Sequence, residues 1–141
     1  MNDSRVRLAS ATSVALRDLV RLYAAVGWTT YTKAPESLAA AISGSSYVIT
    51  ARMEGELVGL ARAISDNATI CYIQDILVDP AHQRSGLGRQ MVETILGQYS
   101  DVREKVLITD DERQRAFYES LGFSDVAEMD PPIRAFVKFD G

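Results

Sequence analysis

The stretch DPAHQRSGLGRQM, Asp79 to Met91, decides how the rest of the chain reads. Asp79-Pro80 stops the β-rich run TICYIQDILV, residues 69–78, because proline has no N–H to give a ladder. Beyond the glycines, Leu87, Met91, Val92, Ile95 and Leu96 make one apolar stripe of a helix. A helix that starts near Gly86 has its first N–H groups unpaired, at the positive end of its dipole. A phosphate satisfies both needs. Gly86 and Gly88 have no Cβ, so an anion can come close to the main chain. Gln83, Arg84 and Arg89 add donors and positive charge.

Three readings of the two glycines compete. A dinucleotide fingerprint, G-x-G-x-x-G, would need glycine where this chain has Met91, and its strand would open the domain. A Walker loop would need G-K-S/T, which does not follow. The third is a tight turn with no ligand. The residues on either side of the stretch bear on the choice.

RVRLAS, residues 5–10, alternates as a first strand does. Ser10 or Thr12 is positioned to cap a helix over 13–26, with Leu16, Leu19, Val20 and Tyr23 inward and Gly27 ending it. GWTTYTKA reads as a loop, and Pro35 opens a second helix to about Ile42, closed by Gly44. SYVITARME and ELVGLARAIS form a hairpin about Glu54-Gly55, and Asp66-Asn67 turns the chain into the run at 69–78. After the glycine stretch and its helix comes KVLIT, a strand almost without a polar face and so expected buried on both sides. A helix DERQRAFYESL ends at Gly122, and FSDVAE with IRAFVKF reads as a final antiparallel pair. The helix between TICYIQDILV and KVLIT makes those strands parallel neighbours. The expected fold is α/β (α+β): one domain over 1–141, a mixed and mostly antiparallel sheet with one parallel pair, and helices on both faces.

The composition suits that size. The chain has 141 residues, 47% hydrophobic and 24% charged, with net charge −4. No basic face dominates, which argues against nucleic acid or an anionic membrane as partner. No run is long enough to span a bilayer and no signal peptide is evident, so a cytoplasmic location is expected. The one cysteine, Cys71, lies in a strand-like run and reads as a small buried hydrophobe. The one histidine, His82, reads as an exposed turn residue, and TDDE, residues 109–112, as helix capping rather than a metal site.

The string ILVDPxxQRxGLG, between a β-run and an amphipathic helix, resembles the acyl-CoA-binding motif of the GNAT superfamily, the Gcn5-related N-acetyltransferases. That motif is Q/R-x-x-G-x-G/A, and Gln83, Gly86 and Gly88 match it. FYESLGF, Phe117 to Phe123, is similar to the closing-helix signature of the same family. The resemblance implies an acetyl-CoA-dependent N-acetyltransferase, with no metal, acting on a primary amine of a small molecule. Protein or peptide acetylation and non-catalytic acyl-CoA binding are the alternatives, and a homodimer is among the states it allows.

The resemblance also implies roles for residues. The pyrophosphate of coenzyme A would lie on main-chain groups of Arg84, Ser85, Gly86, Leu87, Gly88 and Arg89, with Gln83 beside them. The pantetheine arm would pair with Ile76, Leu77 and Val78, with an N–H near Leu77 holding the thioester carbonyl. Tyr118 matches a tyrosine that protonates the leaving thiolate in many members. Asp75 is a candidate base or ammonium anchor, with an ordered water chain as the other candidate base. Strand alternation turns Gln74 and Asp75 to opposite faces, so only one of them can face the acceptor. Trp28 and Tyr31 would line the acceptor site, or Trp28 would pack beneath its loop. Asp111 and Gln114 depart from the Asn and Ala frequent at those positions, which puts contacts to the adenosine end in doubt.

Overall fold

The computed structural model describes residues 5–140; the ends of the expected 1–141 domain, residues 1–4 and 141, lie outside the described residues. The chain gathers into two compact units, Met1–Ile108 and Thr109–Gly141.

The first unit holds a five-stranded sheet in the order β1-β2-β3-β4-β5: β1 Val6–Ser10, β2 Tyr47–Met53, β3 Glu56–Ser65, β4 Ile70–Val78 and β5 Glu104–Leu107. The first three pairings are antiparallel and β4–β5 is parallel, as the crossover requires. The β2–β3 hairpin turns through Glu54 and Gly55, both left-handed, at φ 52° and 83°.

Helices cover both faces. On one, α1 (Leu16–Ala25) and α3 (Pro35–Gly44) send Leu19, Leu22, Tyr23, Leu38 and Ile42 into a core with Val48, Leu57, Leu60 and Leu77. On the other, α4 (Leu87–Gln98) buries Leu87, Met91, Val92 and Ile95. Met91 stands where a dinucleotide fingerprint would have its third glycine, and it packs on the hollow above Gly59. A Cβ built on Gly59 would meet Met91 Cε at 3.1 Å and Ala51 Cβ at 3.3 Å.

Several expectations change. Helix α1 starts at Leu16 with Ala15 as N-cap and no side-chain cap, so neither Ser10 nor Thr12 caps it. The reason is pairing: Ser10 faces Ile49 in the sheet and the Ala11 N–H still bonds the Val48 carbonyl, which keeps the chain extended. Leu22 replaces Leu16 in the buried stripe, Leu16 being exposed. The expected loop at 27–34 contains a turn of helix, α2 (Thr29–Thr32). Strand β5 is at the sheet's edge and its Lys105, Val106 and Leu107 are half-buried, not sealed on both sides.

In the second unit, a 3₁₀ turn Glu112–Gln114 leads into α5 (Arg115–Ser120), which Gly122 ends at φ 97°. The expected antiparallel pair is not formed. The Asp125 carboxylate accepts the Ala127 N–H and nucleates a 3₁₀ turn, Val126–Glu128, where a strand was expected. The Arg115 guanidinium pairs with Asp125 at 3.1 Å and Glu128 at 2.6 Å, tying that turn to α5. Pro131 and Pro132 then supply no N–H to a ladder.

Gly59→Val should destabilise the protein by about 1–3 kcal/mol through overpacking against Met91 and Ala51. Gly59→Ala should cost less, because the Met91 terminal methyl can swing aside. Urea denaturation of the two variants checks the order.

Candidate active site

Strand β4 carries one residue more than β3 can pair. Arg62 faces Asp75 and Ala63 faces Ile73, so Gln74 bulges out. The bulge reverses the alternation. Cys71 and Ile73 share a face with Ala63, whereas Asp75 and Leu77 share the opposite face with Arg62 and Leu60. Asp75 therefore enters the side covered by α1 and α3, where it is 2% exposed.

There it meets three donors. Arg62 Nε donates to Asp75 Oδ2 at 2.6 Å, the Tyr23 hydroxyl to the same oxygen at 2.9 Å, and the Tyr31 hydroxyl to Oδ1 at 3.3 Å. Arg62 also donates to the Ser45 hydroxyl at 3.2 Å. Burial, then the Asp75 charge, pushes the Tyr23 phenol well above its ordinary pKa, so it stays a donor. Burial opposes the charge on Arg62, but the Asp75 carboxylate and its hydrogen bond hold that guanidinium above its usual pKa. A carboxylate this enclosed is badly placed to take a proton from a ligand. The geometry gives Asp75 a structural charge rather than a base's access.

Gln74 and Asp75 nonetheless reach one point. Gln74 Nε2 donates to the Tyr31 hydroxyl at 3.4 Å, the same hydroxyl that donates to Asp75. Simple alternation allowed only one of them a view of the acceptor; the bulge brings both to Tyr31. The rings of Tyr23, Trp28 and Tyr31 pack together with centroids 5.2–6.1 Å apart, and half-buried Trp28 and Tyr31 rest on the α1–α3 core. Trp28 thus both packs under its segment and edges the Tyr31 ring.

The other end of β4 leads into the glycine loop. The β4–β5 ladder stops at Ile73↔Leu107, while β4 runs on to Val78, so the two strands part there. The Asp79 N–H bonds the Val58 carbonyl on β3. In an antiparallel ladder every second residue points the same way, so Leu77 also spends its peptide groups on β3. The groups turned away from β3 belong to Ile76 and Val78, and Ile76 adjoins Leu77, near which the resemblance puts the thioester contact. The Val78 carbonyl accepts from Gln83 Nε2 at 3.2 Å, which folds the loop back onto the strand.

The loop has the backbone an anion needs. Arg84 is left-handed at φ 63° and Gly86 at φ 84°, the kind of conformation from which anion-binding concavities of backbone N–H groups are built. Gly86 is the N-cap of α4 and no side chain caps that helix, so the amides of its first turn have no side-chain acceptor. Ser85 donates its hydroxyl to the His82 carbonyl at 2.6 Å and braces the turn. Arg84 is exposed beside this end, and Arg89 lies in the first turn of α4. These residues fit a pyrophosphate. Among the described residues no group of three or more His, Cys, Asp or Glu side chains is gathered as a metal ion would need.

In the second unit, Tyr118 packs edge-on against Phe117 and Phe123. Burial, then the Asp111 charge, raises its phenol above the ordinary value, so it is protonated at neutral pH.

Residues 14–134 match the acetyltransferase (GNAT) domain family. The chain belongs to that family. A histone acetyltransferase of Glycine max is 31% identical, over 90% of this chain and 58% of its own length. This GNAT chain spans about half the length of the curated relatives it matches first. A GNAT family acetyltransferase from Streptococcus pneumoniae superposes with TM-score 0.82 at 28% identity, over 96% of this chain and 98% of that one. An aminoglycoside N-acetyltransferase in complex with CoA superposes at 0.72 over 99% of this chain and 97% of that one; at 16% identity that likeness speaks for the fold alone.

Arg62 and Tyr23 were missed in the sequence. A signal was present: Arg62 is the one cation of β3 and Asp75 the one charged residue of β4, opposite charges in mostly apolar strands. Arg62→Met should leave an uncompensated buried carboxylate and cost about 3–5 kcal/mol. Adding Asp75→Asn should recover a good part of that loss. Denaturant titrations of the single and double variants measure both.

Proposed function

We propose that this GNAT chain transfers the acetyl group of acetyl-CoA to a primary amine of a small molecule, by direct attack in a ternary complex. The observation that carries the reading is the parting of β4 from β5 beside an uncapped helix N-terminus with two left-handed loop residues. Acetyl-CoA supplies a thioester whose C–S bond breaks as the amine nitrogen forms the new C–N bond. The amides at the start of α4 hold the pyrophosphate, with Arg84 and Arg89 adding charge. The Ile76 N–H, directed to the open edge, would hold the thioester oxygen as negative charge builds there. Tyr118 would donate its proton to the leaving sulfur, the role of the tyrosine it matches in FYESLGF. The amine must lose a proton to attack; with Asp75 enclosed, a water chain in the cleft fits that task better.

A small amine is supported by the aromatic group at Tyr23, Trp28 and Tyr31. The Glycine max relative, named a histone acetyltransferase, supports a second reading with a lysine side chain as acceptor. Thiol release from acetyl-CoA, followed against a panel of small amines and a lysine-rich peptide, separates the two. Release with none of them would leave an acyl-CoA-binding module.

Gly86→Glu puts a side chain and a negative charge at a left-handed N-cap. Calorimetry should show coenzyme A affinity lost with the circular dichroism spectrum retained, and unchanged affinity would remove the phosphate assignment. Tyr118→Phe should lower kcat by about 10²- to 10⁴-fold with little change in the Kd for coenzyme A. Because burial and the Asp111 charge raise its phenol, the alkaline limb of kcat that belongs to Tyr118 should lie above the ordinary range of a tyrosine. An earlier fall that survives in Tyr118→Phe belongs to another group.

A further inference from the structure

We propose that Tyr31 recognises the acceptor through its phenolic oxygen, acting as a hydrogen-bond acceptor for an N–H, and that Asp75 is its positioning residue, not the base. The inference rests on the acetyl-transfer reading and assigns within it what the acceptor's nitrogen touches.

A carboxylate only accepts, so across the 3.3 Å contact the Tyr31 hydroxyl must be the donor. Its proton is thereby committed inward, and its lone pairs face away from Asp75. Gln74 Nε2 donates to one side of that oxygen at 3.4 Å. With its NH₂ turned to Tyr31, the amide of exposed Gln74 has its carbonyl as a second acceptor. This corner therefore offers two acceptors, Tyr31 Oη and Gln74 Oε1, and is matched to a group that donates.

The electrostatics point the same way. Asp75 is sealed at 2% exposure and its charge is balanced by Arg62 at 2.6 Å, a side chain 7% exposed. No ammonium can reach that carboxylate directly. What reaches the surface of the network is the oxygen of Tyr31, made a better acceptor by donating its own proton to an anion. The network also fixes its place: Tyr23 and Arg62 hold Asp75, Asp75 holds the hydroxyl, and Tyr23 and Trp28 hold the ring. Along β4 the two residues that touch this hydroxyl, Gln74 and Asp75, stand two and one before Ile76, whose N–H is turned to the open edge. The bound nitrogen is thus kept next to the point where the acyl carbon would be held.

The claim separates from cation–π or simple charge attraction. Those would hold a quaternary ammonium as well as a primary one, whereas an acceptor oxygen needs an N–H. The sole tryptophan, Trp28, lies 6.1 Å from the Tyr31 ring and reports on binding without turnover. Phenethylamine and its N,N,N-trimethyl analogue are titrated into the full chain in the presence of coenzyme A while tryptophan fluorescence is followed. Phenethylamine should saturate, and the trimethyl analogue should bind about tenfold or more weaker.

Tyr31→Phe keeps the ring and removes the oxygen. It should weaken phenethylamine about tenfold, leave the trimethyl analogue within about twofold and leave coenzyme A affinity unchanged. Asp75→Asn should weaken phenethylamine similarly, and the double variant should be no worse than either single one, as expected of residues acting as a unit. The acid limb of kcat/KM should survive in Asp75→Asn. Equal loss of both ligands in Tyr31→Phe, no loss of either, or no binding of phenethylamine to the wild type would each overturn the proposal. Should Asp75→Asn fail to fold, the Tyr31→Phe comparison alone decides. The transferase reading fails separately: amine binding as expected, but no thiol released from acetyl-CoA.

Discussion

The extra residue in β4 is the constraint on which the candidate site depends. Had β4 paired with β3 residue for residue, Asp75 would share the face of Cys71 and Ile73, against the apolar side of α4, with no guanidinium to balance it. The bulge at Gln74 turns it to the α1–α3 side, where Arg62 is its direct partner in register. A buried carboxylate is tolerable only when paired and hydrogen-bonded. This one is held by Arg62, Tyr23 and Tyr31, so burying it fixes the positions of three other side chains. It also explains why α1 carries a tyrosine at the centre of its core face.

The same strand serves two chemistries because its neighbours differ along its length. Over Ile70–Ile73 it is an inner strand, flanked by β3 and β5. Beyond Ile73 the β5 side is open, and the peptide groups of Ile76 and Val78 turn toward it. The Gln83 amide covers one of those groups, the Val78 carbonyl, and so anchors the loop that leads to the anion site. Glycine at position 86 follows from its φ of 84°, a conformation that costs a residue with a Cβ about 1–2 kcal/mol. Arg84 bears that kind of cost at φ 63° without being glycine. Such an outlier is found where surrounding structure or function enforces it.

The acceptor corner shows how burial changes a residue's role without changing its identity. Read as a string, Asp75 is an acid in a strand near a cofactor motif, and general base is the natural assignment. In the fold, its lone pairs are engaged from inside the core and its influence reaches the surface only through Tyr31. A charge-paired anion behind a hydroxyl presents that hydroxyl's oxygen rather than its own charge, which distinguishes it from an exposed carboxylate.

Much of this protein could be read from local pattern. Asp79-Pro80, Gln83, Gly86 and Gly88, followed by the Leu87–Met91–Ile95 stripe, determined the end of a strand, a tight loop and a helix, because each depends on residues a few positions apart. The hairpin at Glu54-Gly55, the parallel crossover and the family follow from the same short-range rules. The start of α1 was misplaced because Ser10 and Ala11 are held extended by β2, some forty positions away in sequence. The final strand pair failed because Asp125 and Arg115 offer that segment a nearer set of partners. The partnership of Arg62 and Asp75, the sharing of Tyr31 by Gln74 and Asp75, and the turning of the Ile76 rather than the Leu77 peptide groups away from β3 were decided by tertiary structure alone. Each depends on the register between strands, and a shift of one residue in register exchanges every side chain between faces, which no periodicity within a single strand can record.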